Sequence, residues 1–219
     1  MGMKIGVFDS GVGGKAVADR LQELIPDAEI ISVDDHDHVP YGSRLPADII
    51  SLTQTAVQPL IDASCDVIVI ACNTATTVAI GHLREAFPLT PFVGIEPMVK
   101  PAAALTKTKK ITVFTTPATL ASARYKELKK LWANNVHINE PDCSNWAGLI
   151  QEGRTKEVPI TQAVQTAIEN GSDVIVLSCT HYHYLKSAVV AAAGKRATIL
   201  EPSDAIARRI KTILSYSDN

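Results

Sequence analysis

The sequence lacks the features that would place it in a membrane or on a nucleic acid. No continuous apolar run approaches the ~18 residues of a membrane-spanning helix. There is no basic stripe either, because 21 lysines and arginines stand against 23 aspartates and glutamates, for a net charge of -2. With 46% hydrophobic residues and a mean hydropathy of +0.11, the 219 residues suffice for a packed core. The composition predicts a globular protein with no membrane and no nucleic-acid partner.

Signals for export and for a structural zinc site are also missing. Residues 1–6 lead directly into a strand-like run, without the basic, apolar and small-residue layout of a signal peptide, so a cytoplasmic location is expected. The four cysteines Cys65, Cys72, Cys143 and Cys179 form no CxxC pair, which disfavours a structural zinc site. In the cytosol they are expected to be free thiols.

Short β-branched runs alternate with longer segments of helical periodicity. Val67–Ile70 and Val174–Leu177 are apolar throughout, as strands covered on both faces of a parallel sheet are. The predicted strands are 5–8, 30–33, 67–70, 111–114 and 174–177. The predicted helices are 16–25, 47–63 and 76–87, with a last helix capped by residues 201–204 and running through Ile213. The pattern indicates an α/β fold of mostly parallel sheets flanked by helices.

Two segments recur at nearly the same offset. Lys4–Phe8 resembles Lys110–Phe114 at an offset of 106, and Asp66–Cys72 resembles Asp173–Cys179 at an offset of 107. Convergent use of Val and Ile in buried strands explains either match alone, but the paired offsets and the aligned cysteines favour two related lobes. The predicted domains are residues 1–97 with about 200–219, and residues 98–199.

The recurrence of these two segments makes Cys72 and Cys179 equivalent residues. Both lie beyond strand ends, where open α/β sheets bind ligands. Two lobes that face each other across a cleft would place the two thiols on opposite sides of one ligand. Each would lie at a helix N-terminus, which is predicted to lower the thiol pKa below its free value of ~8.5.

The turn Asp9–Gly14 follows the first strand and is rich in glycine. Its spacing matches neither a dinucleotide fingerprint nor a P-loop, and the acid beside the glycines argues against phosphate and for proton handling or the orientation of a neighbour. A tight turn without a ligand is the alternative.

Residues 72–77 combine a thiol, an amide and hydroxyls suited to a carboxylate, and residues 179–181 repeat this with an imidazole. Helix capping and simple burial are the alternatives here, and Cys65 and Cys143 are interpreted as inert. The histidine-rich stretches 34–38 and 181–183 contain metal-ligand types on alternating positions of an extended segment, but a metal site is not favoured over surface histidines.

Six motifs in order resemble the glutamate racemase family of the aspartate/glutamate racemase superfamily. They are residues 5–14, Pro40–Gly42, Ala71–Ala75, Gly94–Pro97 with Lys100–Ala102, Cys179–Tyr182 and Glu201–Asp204. The chain departs from the family pattern at Lys15, Ala118 and His183. The resemblance covers nearly the whole chain.

The resemblance implies two pseudo-symmetric α/β lobes with the active site between them, no cofactor and no metal, and a homodimer that supplies D-glutamate for peptidoglycan. Cys72 and Cys179 would be the catalytic bases, assisted by Asp9 and His181 respectively. The implied substrate-binding residues are Ser10, Tyr41, Gly42, Asn73, Thr74, Thr116, Thr119 and Thr180.

Racemisation by this family removes the α-proton from one face of the amino acid and returns a proton to the other, with one thiol on each face. No lysine stands in a motif position for a pyridoxal Schiff base. Three alternatives stay open: racemisation of aspartate or another amino acid, hydrolysis by a Cys-His nucleophile, and an inactive homologue that binds an amino acid.

Overall fold

The computed structural model describes residues 2–217, which form eight strands and ten α-helices in two compact units. The first unit comprises the residues up to Glu96 together with those from Pro202 onward, and the second comprises Pro97–Glu201. Within residues 2–217, none of the helices combines the length and the apolar character that crossing a membrane requires.

The first unit is a four-stranded parallel sheet with helices around it. Its strands are β1 (Lys4–Asp9), β2 (Glu29–Asp34), β3 (Val67–Ile70) and β4 (Phe92–Gly94). Its helices are α1 (Gly13–Leu24), α2 (Pro46–Asp62), α3 (Asn73–Ala86) and α10 (Ser203–Ser217), with short 3-10 helices at His36–His38 and Tyr41–Ser43. The strands lie in the order β2-β1-β3-β4, so β1 and β3 are the central pair.

The second unit repeats this arrangement. Its strands are β5 (Lys110–Thr115), β6 (His137–Asn139), β7 (Val174–Ser178) and β8 (Thr198–Leu200). Its helices are α4 (Val99–Leu105), α5 (Pro117–Ala121), α6 (Ala123–Trp132), α7 (Trp146–Gln151), α8 (Ile160–Glu169) and α9 (Lys186–Ala193), with 3-10 helices at Thr155–Glu157 and Thr180–Leu185. The parallel order β6-β5-β7-β8 places β5 and β7 at the centre.

The predicted α/β fold with parallel sheets is confirmed, and the recurring segments occupy corresponding places in the two sheets. Lys4–Phe8 and Lys110–Phe114 lie in the first central strand of each sheet. The segments that end in Cys72 and Cys179 contain the second. Every residue of β3 and β7 is buried, which explains why both runs are apolar throughout.

The last helix extends beyond its predicted end at Ile213 and reaches Ser217. Ile206, Ile210 and Leu214 on one face of α10 pack on the same core as Val17 and Leu21 of α1. Because this apolar face continues past Ile213, the helix continues with it. The packing also explains why the C-terminal segment belongs to the first unit.

An aspartate at the start of each second central strand anchors the neighbouring backbone. Asp66 Oδ2 accepts a hydrogen bond from the Lys4 amide at 2.7 Å. Asp173 accepts more: the Thr106 hydroxyl at 2.5 Å on Oδ1, and the amides of Lys107 at 2.7 Å and Thr108 at 3.1 Å on Oδ2. In the second unit this carboxylate therefore holds the turn that leads from α4 into β5.

We expect Asp173→Ala to lower the free energy of unfolding by about 1–3 kcal/mol, because it removes the acceptor of one hydroxyl and two amides. Asp66→Ala removes the acceptor of the Lys4 amide and should cost less. Differential scanning calorimetry of both variants beside the parent protein measures the difference. Equal unfolding temperatures in the two variants would contradict this interpretation of Asp173.

Candidate active site

Cys72 lies beyond the carboxyl end of β3, where it caps helix α3. Its sulfur accepts a hydrogen bond from the Ala75 amide at 3.5 Å, and the Ser10 hydroxyl donates to the same sulfur at 3.2 Å. Helix α3 therefore begins at Asn73, three residues before the predicted start. The thiol is 7% exposed, so it is almost removed from solvent.

The prediction that the helix N-terminus lowers the pKa of the Cys72 thiol is wrong in direction. Burial, and after it the negative charge of Asp9, raise this pKa to about 11, because the hydrogen bonds to the sulfur offset only part of the rise. Removal from water disfavours the thiolate more than the helix end favours it. Cys72 therefore rests as a protonated thiol.

The glycine-rich turn binds the protein's own carboxylate. The amides of Gly11 and Gly14 each donate to Asp9 Oδ2 at 3.1 Å, and Asp9 is 1% exposed. A Cβ atom at Gly14 would lie only 2.5 Å from the Cβ of Asp9, so a glycine is required for this approach. The amides that face a phosphate in other such turns here hold Asp9 near Cys72.

The remaining predicted residues of the first unit lie at the same edge of its sheet. Asn73 is buried and Thr74 half-buried in the first turn of α3. Tyr41 is buried and Gly42 exposed in the 3-10 helix Tyr41–Ser43. Burial raises the pKa of Tyr41, and its hydrogen bond to Asp35 adds to the rise. Tyr41 packs in the same core cluster as Cys72.

Cys179 occupies the corresponding position in the second unit, immediately after β7. Its sulfur lies 3.9 Å from Nδ1 of His181, and both side chains are buried. The chain here forms the 3-10 helix Thr180–Leu185. The expectation of an extended segment with alternating side chains at residues 181–183 is therefore wrong, because the backbone turns at once after the strand.

His181 makes a second contact, with Gln151 at the end of α7. Its Nε2 lies 2.8 Å from Gln151 Oε1, and an amide oxygen accepts, so Nε2 carries the hydrogen. In the neutral ring, Nδ1 is then bare and faces the Cys179 thiol. Burial lowers the pKa of His181 to about 4, which keeps the ring neutral near pH 7.

Threonines and aromatic rings lie near the same strand end of the second unit. Thr116 caps α5, and its hydroxyl lies 3.1 Å from the hydroxyl of Thr119. Thr119 and Thr180 are both buried. The ring of Tyr182 packs at a tilt of 60° against Trp146, with the ring centroids 5.5 Å apart, and Trp146 in turn lies 5.2 Å from the ring of Phe114. These buried rings fix the 3-10 helix that carries Thr180 and His181.

The other two cysteines are the ones predicted to be inert, and the carbonyl of Cys143 accepts a hydrogen bond from the Tyr182 hydroxyl at 3.3 Å. Cys65 and Cys143 are buried, and burial raises the pKa of both thiols. No group of three His, Cys, Asp or Glu side chains within residues 2–217 is arranged to hold a metal ion.

Sequence reasoning missed Gln151. It stands 30 residues before His181, in no motif, and only the packing of α7 beside the 3-10 helix Thr180–Leu185 brings the two side chains together. Gln151 precedes Glu152 and Gly153 at the helix end, a pattern that by itself indicates only a helix terminus.

Comparison with known proteins covers both units. The model of the Asp/Glu/hydantoin racemase family matches residues 14–210. A glutamate racemase of Herpetosiphon aurantiacus is 37% identical over 98% of this chain and 85% of its own length. One of a Roseiflexus species is 38% identical, over 96% of this chain and 79% of its own.

A solved structure of a glutamate racemase is also similar to this chain. The Escherichia coli glutamate racemase, crystallised with L-glutamate and the activator UDP-MurNAc-Ala, superposes with a TM-score of 0.86 at 30% identity. The match covers 98% of this chain and 83% of that one.

We expect alkylation of Cys72 to accelerate with pH up to about pH 11, because only about one thiol in a thousand is ionised at pH 8. Asp9→Asn should speed alkylation at pH 8 by about threefold to tenfold, since it removes the charge that opposes the thiolate and keeps an acceptor for the turn. Iodoacetamide labelling followed by peptide mass spectrometry measures the rate at Cys72 alone. The exposed Asp19→Asn is the control, and a slower Asp9→Asn protein would contradict the assignment.

We expect Gln151→Glu to raise the pKa of His181 above its value of about 4 by about 1–3 units, because a carboxylate at that position favours the imidazolium. Titration of the His181 ring signals by NMR measures the change. Glu152→Gln, on the neighbouring exposed residue, should leave the midpoint where it is. An unshifted midpoint in Gln151→Glu would show that the amide does not contact the ring in solution.

Proposed function

The chain belongs to the Asp/Glu/hydantoin racemase family, and from this premise we propose that it interconverts L-glutamate and D-glutamate. The observation that carries the proposal is a buried thiol beside a proton-handling group at the corresponding strand end of each unit. Cys72 has Asp9 and Ser10 near it, and Cys179 has His181. The relatives that share both units are named for this reaction.

Racemisation needs a base on one face of the α-carbon and an acid on the other. In the proposed mechanism one thiolate removes the α-proton while the opposite thiol donates its own, and the reverse reaction exchanges the two roles. Cys72 takes the proton of D-glutamate and Cys179 that of L-glutamate. The mechanism requires both sulfurs to reach the same α-carbon. In this family the reaction needs no cofactor.

The surroundings of Cys72 suit it to alternate between acid and base. A thiol with a pKa of about 11 holds its proton at rest, and the corresponding thiolate is a strong base for a weakly acidic C–H bond. The Ser10 hydroxyl donates to the sulfur and stabilises the thiolate when it forms. Asp9 is the group to which the thiol proton is passed.

The surroundings of Cys179 offer a different acceptor for its own thiol proton. Bare Nδ1 of His181 is the acceptor nearest to the thiol, at 3.9 Å from the sulfur. The proton that leaves Cys179 moves to this nitrogen, and Gln151 holds the ring in the tautomer that can receive it. The two half-sites thus use a carboxylate and an imidazole for one task.

Neutral donors are proposed to hold the substrate. Asn73 and Thr74 in the first unit and Thr116, Thr119 and Thr180 in the second offer amide and hydroxyl groups. Such groups bind the α-carboxylate and stabilise the charge that spreads onto it as the α-proton leaves. Ser10 belongs to the same set on the first unit, and Tyr41 and the exposed backbone of Gly42 add substrate binding that is equal in the ground and transition states.

The proposed role in the cell is the supply of D-glutamate for peptidoglycan, from the cytoplasm and as a homodimer. This role follows the family resemblance in the sequence. Sedimentation of the purified protein tests the homodimer separately from the reaction.

We expect Cys72→Ala and Cys179→Ala each to lower the rate of racemisation by about 10²–10⁴-fold, because each removes one of the two proton-transfer groups. Cys65→Ala should retain the parent rate. The α-proton signal of L-glutamate in heavy water, followed by NMR together with chiral analysis, reports the reaction directly. The assay contains chelator and no pyridoxal phosphate.

Each alternative gives a different result in the same assay. Loss of the α-proton signal from L-aspartate in place of L-glutamate would change the substrate. A covalent adduct at one thiol without α-proton exchange would indicate a hydrolase, and glutamate binding with neither reaction would indicate an inactive homologue. A parent-like rate in either cysteine variant would exclude the two-base mechanism.

A further inference from the structure

The acidic and histidine-rich stretch 34–38 takes no part in the mechanism above, yet one of its carboxylates is bound on both oxygens. Asp35 Oδ1 lies 2.7 Å from Nδ1 of His38, and Oδ2 accepts a hydrogen bond from the Tyr41 hydroxyl at 2.7 Å. The side chain of Asp35 is only 11% exposed. A carboxylate withdrawn from water and held at both oxygens fixes the groups that donate to it.

Hydrogen bonds to backbone carbonyls close the rest of the segment around this carboxylate. Arg44 Nε donates to the carbonyl of His38 at 2.6 Å, and the Arg44 amide donates to the carbonyl of Tyr41 at 3.0 Å. At the other end the Asp35 amide donates to the carbonyl of Asp9 at 3.2 Å. Residues 35–44 thus form a loop that is tied to the strand end carrying Asp9.

The Tyr41 hydroxyl is the point where this loop meets the first half-site. Tyr41 is 2% exposed, and its ring lies 6.3 Å from the ring of Phe8. Its side chain packs in the same core cluster as Cys72, and its hydroxyl also has a hydrogen-bond contact with Thr53. Gly42 follows directly and is exposed, so the placement of the Tyr41 ring determines where the backbone of Gly42 is presented.

We propose that Asp35, supported by His38, is a positioning residue for substrate binding, because it holds Tyr41 and thereby orients the backbone of Gly42 toward the substrate carboxylate. This inference rests on the proposed function and adds to it a residue outside the motifs. Asp35 does not touch the reacting atoms. Its effect on binding passes through the Tyr41 hydroxyl.

The neighbouring residues of the stretch provide matched controls. Asp37 is exposed in the same 3-10 helix, two residues from Asp35. His36 is exposed, and its Nε2 lies 3.3 Å from Asp34 Oδ2, away from Asp35. Variants at Asp37 and His36 therefore remove the same kinds of side chain as variants at Asp35 and His38, but leave the hydrogen bonds within the loop intact.

Asp35→Ala should raise the KM for glutamate about tenfold and leave kcat within about twofold, because it removes binding that is equal in the ground and transition states. His38→Gln should raise KM less. Asp37→Ala and His36→Gln should leave both constants unchanged. An increase in KM no larger in Asp35→Ala than in Asp37→Ala would overturn the proposal, as would a fall in kcat at constant KM.

A double-mutant cycle tests whether Asp35 acts through Tyr41. Tyr41→Phe keeps the ring and removes the hydroxyl, so it should raise KM like Asp35→Ala. The double variant should be no worse than either single one. If the two effects multiply, Asp35 acts by another route and the positioning role is wrong.

Asp35→Asn keeps the shape of the side chain and one acceptor oxygen. It replaces Asp35→Ala in the KM measurement if that variant does not fold. It should raise KM by about threefold, and a parent-like KM would again contradict the proposal. Hydrogen exchange of residues 39–44 is independent of activity: it should accelerate in Asp35→Asn and not in Asp37→Ala. A parent protein without racemase activity would refute the proposed function, and the exchange measurement would still decide whether Asp35 holds the loop.

Discussion

Burial of one central strand in each unit is the constraint on which the surroundings of both Cys72 and Cys179 depend. Val67–Ile70 and Val174–Ser178 are covered on both faces and paired on both edges. Reactive polar side chains can therefore be placed only where the chain leaves the sheet. The carboxyl ends of parallel strands lie at one edge, where the turns between strand and helix offer free backbone groups. Cys179 directly follows β7 and Cys72 follows β3 after one residue, so both lie at the boundary between the core and these turns.

The same burial determines the chemistry of the thiols. Around Cys72 it raises the thiol pKa more than the hydrogen bonds from Ser10, Ala75 and Thr74 lower it. Around His181 it disfavours the imidazolium and leaves a neutral ring. The buried carboxylate of Asp9 is compensated by the amides of its own turn. Cys72 is thus kept protonated and His181 neutral until a substrate arrives.

Much of the fold was predictable because its strongest signals are local. Runs of β-branched residues identified β1, β2, β3, β5 and β7 to within one residue, since a strand buried on both faces tolerates little else. The short edge strands β4, β6 and β8 have three residues each and escaped prediction, because so short a segment shows no periodicity. The end of α10 was missed because it depends on a core formed by distant residues.

The sequence by itself determined the fold class, the equivalence of Cys72 and Cys179, and the residue types that surround them, because these are properties of short continuous motifs. The tertiary structure alone decided which of those residues are partners. The contacts from Gln151 to His181 and from Asp35 to Tyr41 join side chains that no motif connects. The direction of the Cys72 pKa shift was likewise out of reach, because it is the balance between solvent exclusion and a few hydrogen bonds, and that balance exists only in the packed chain.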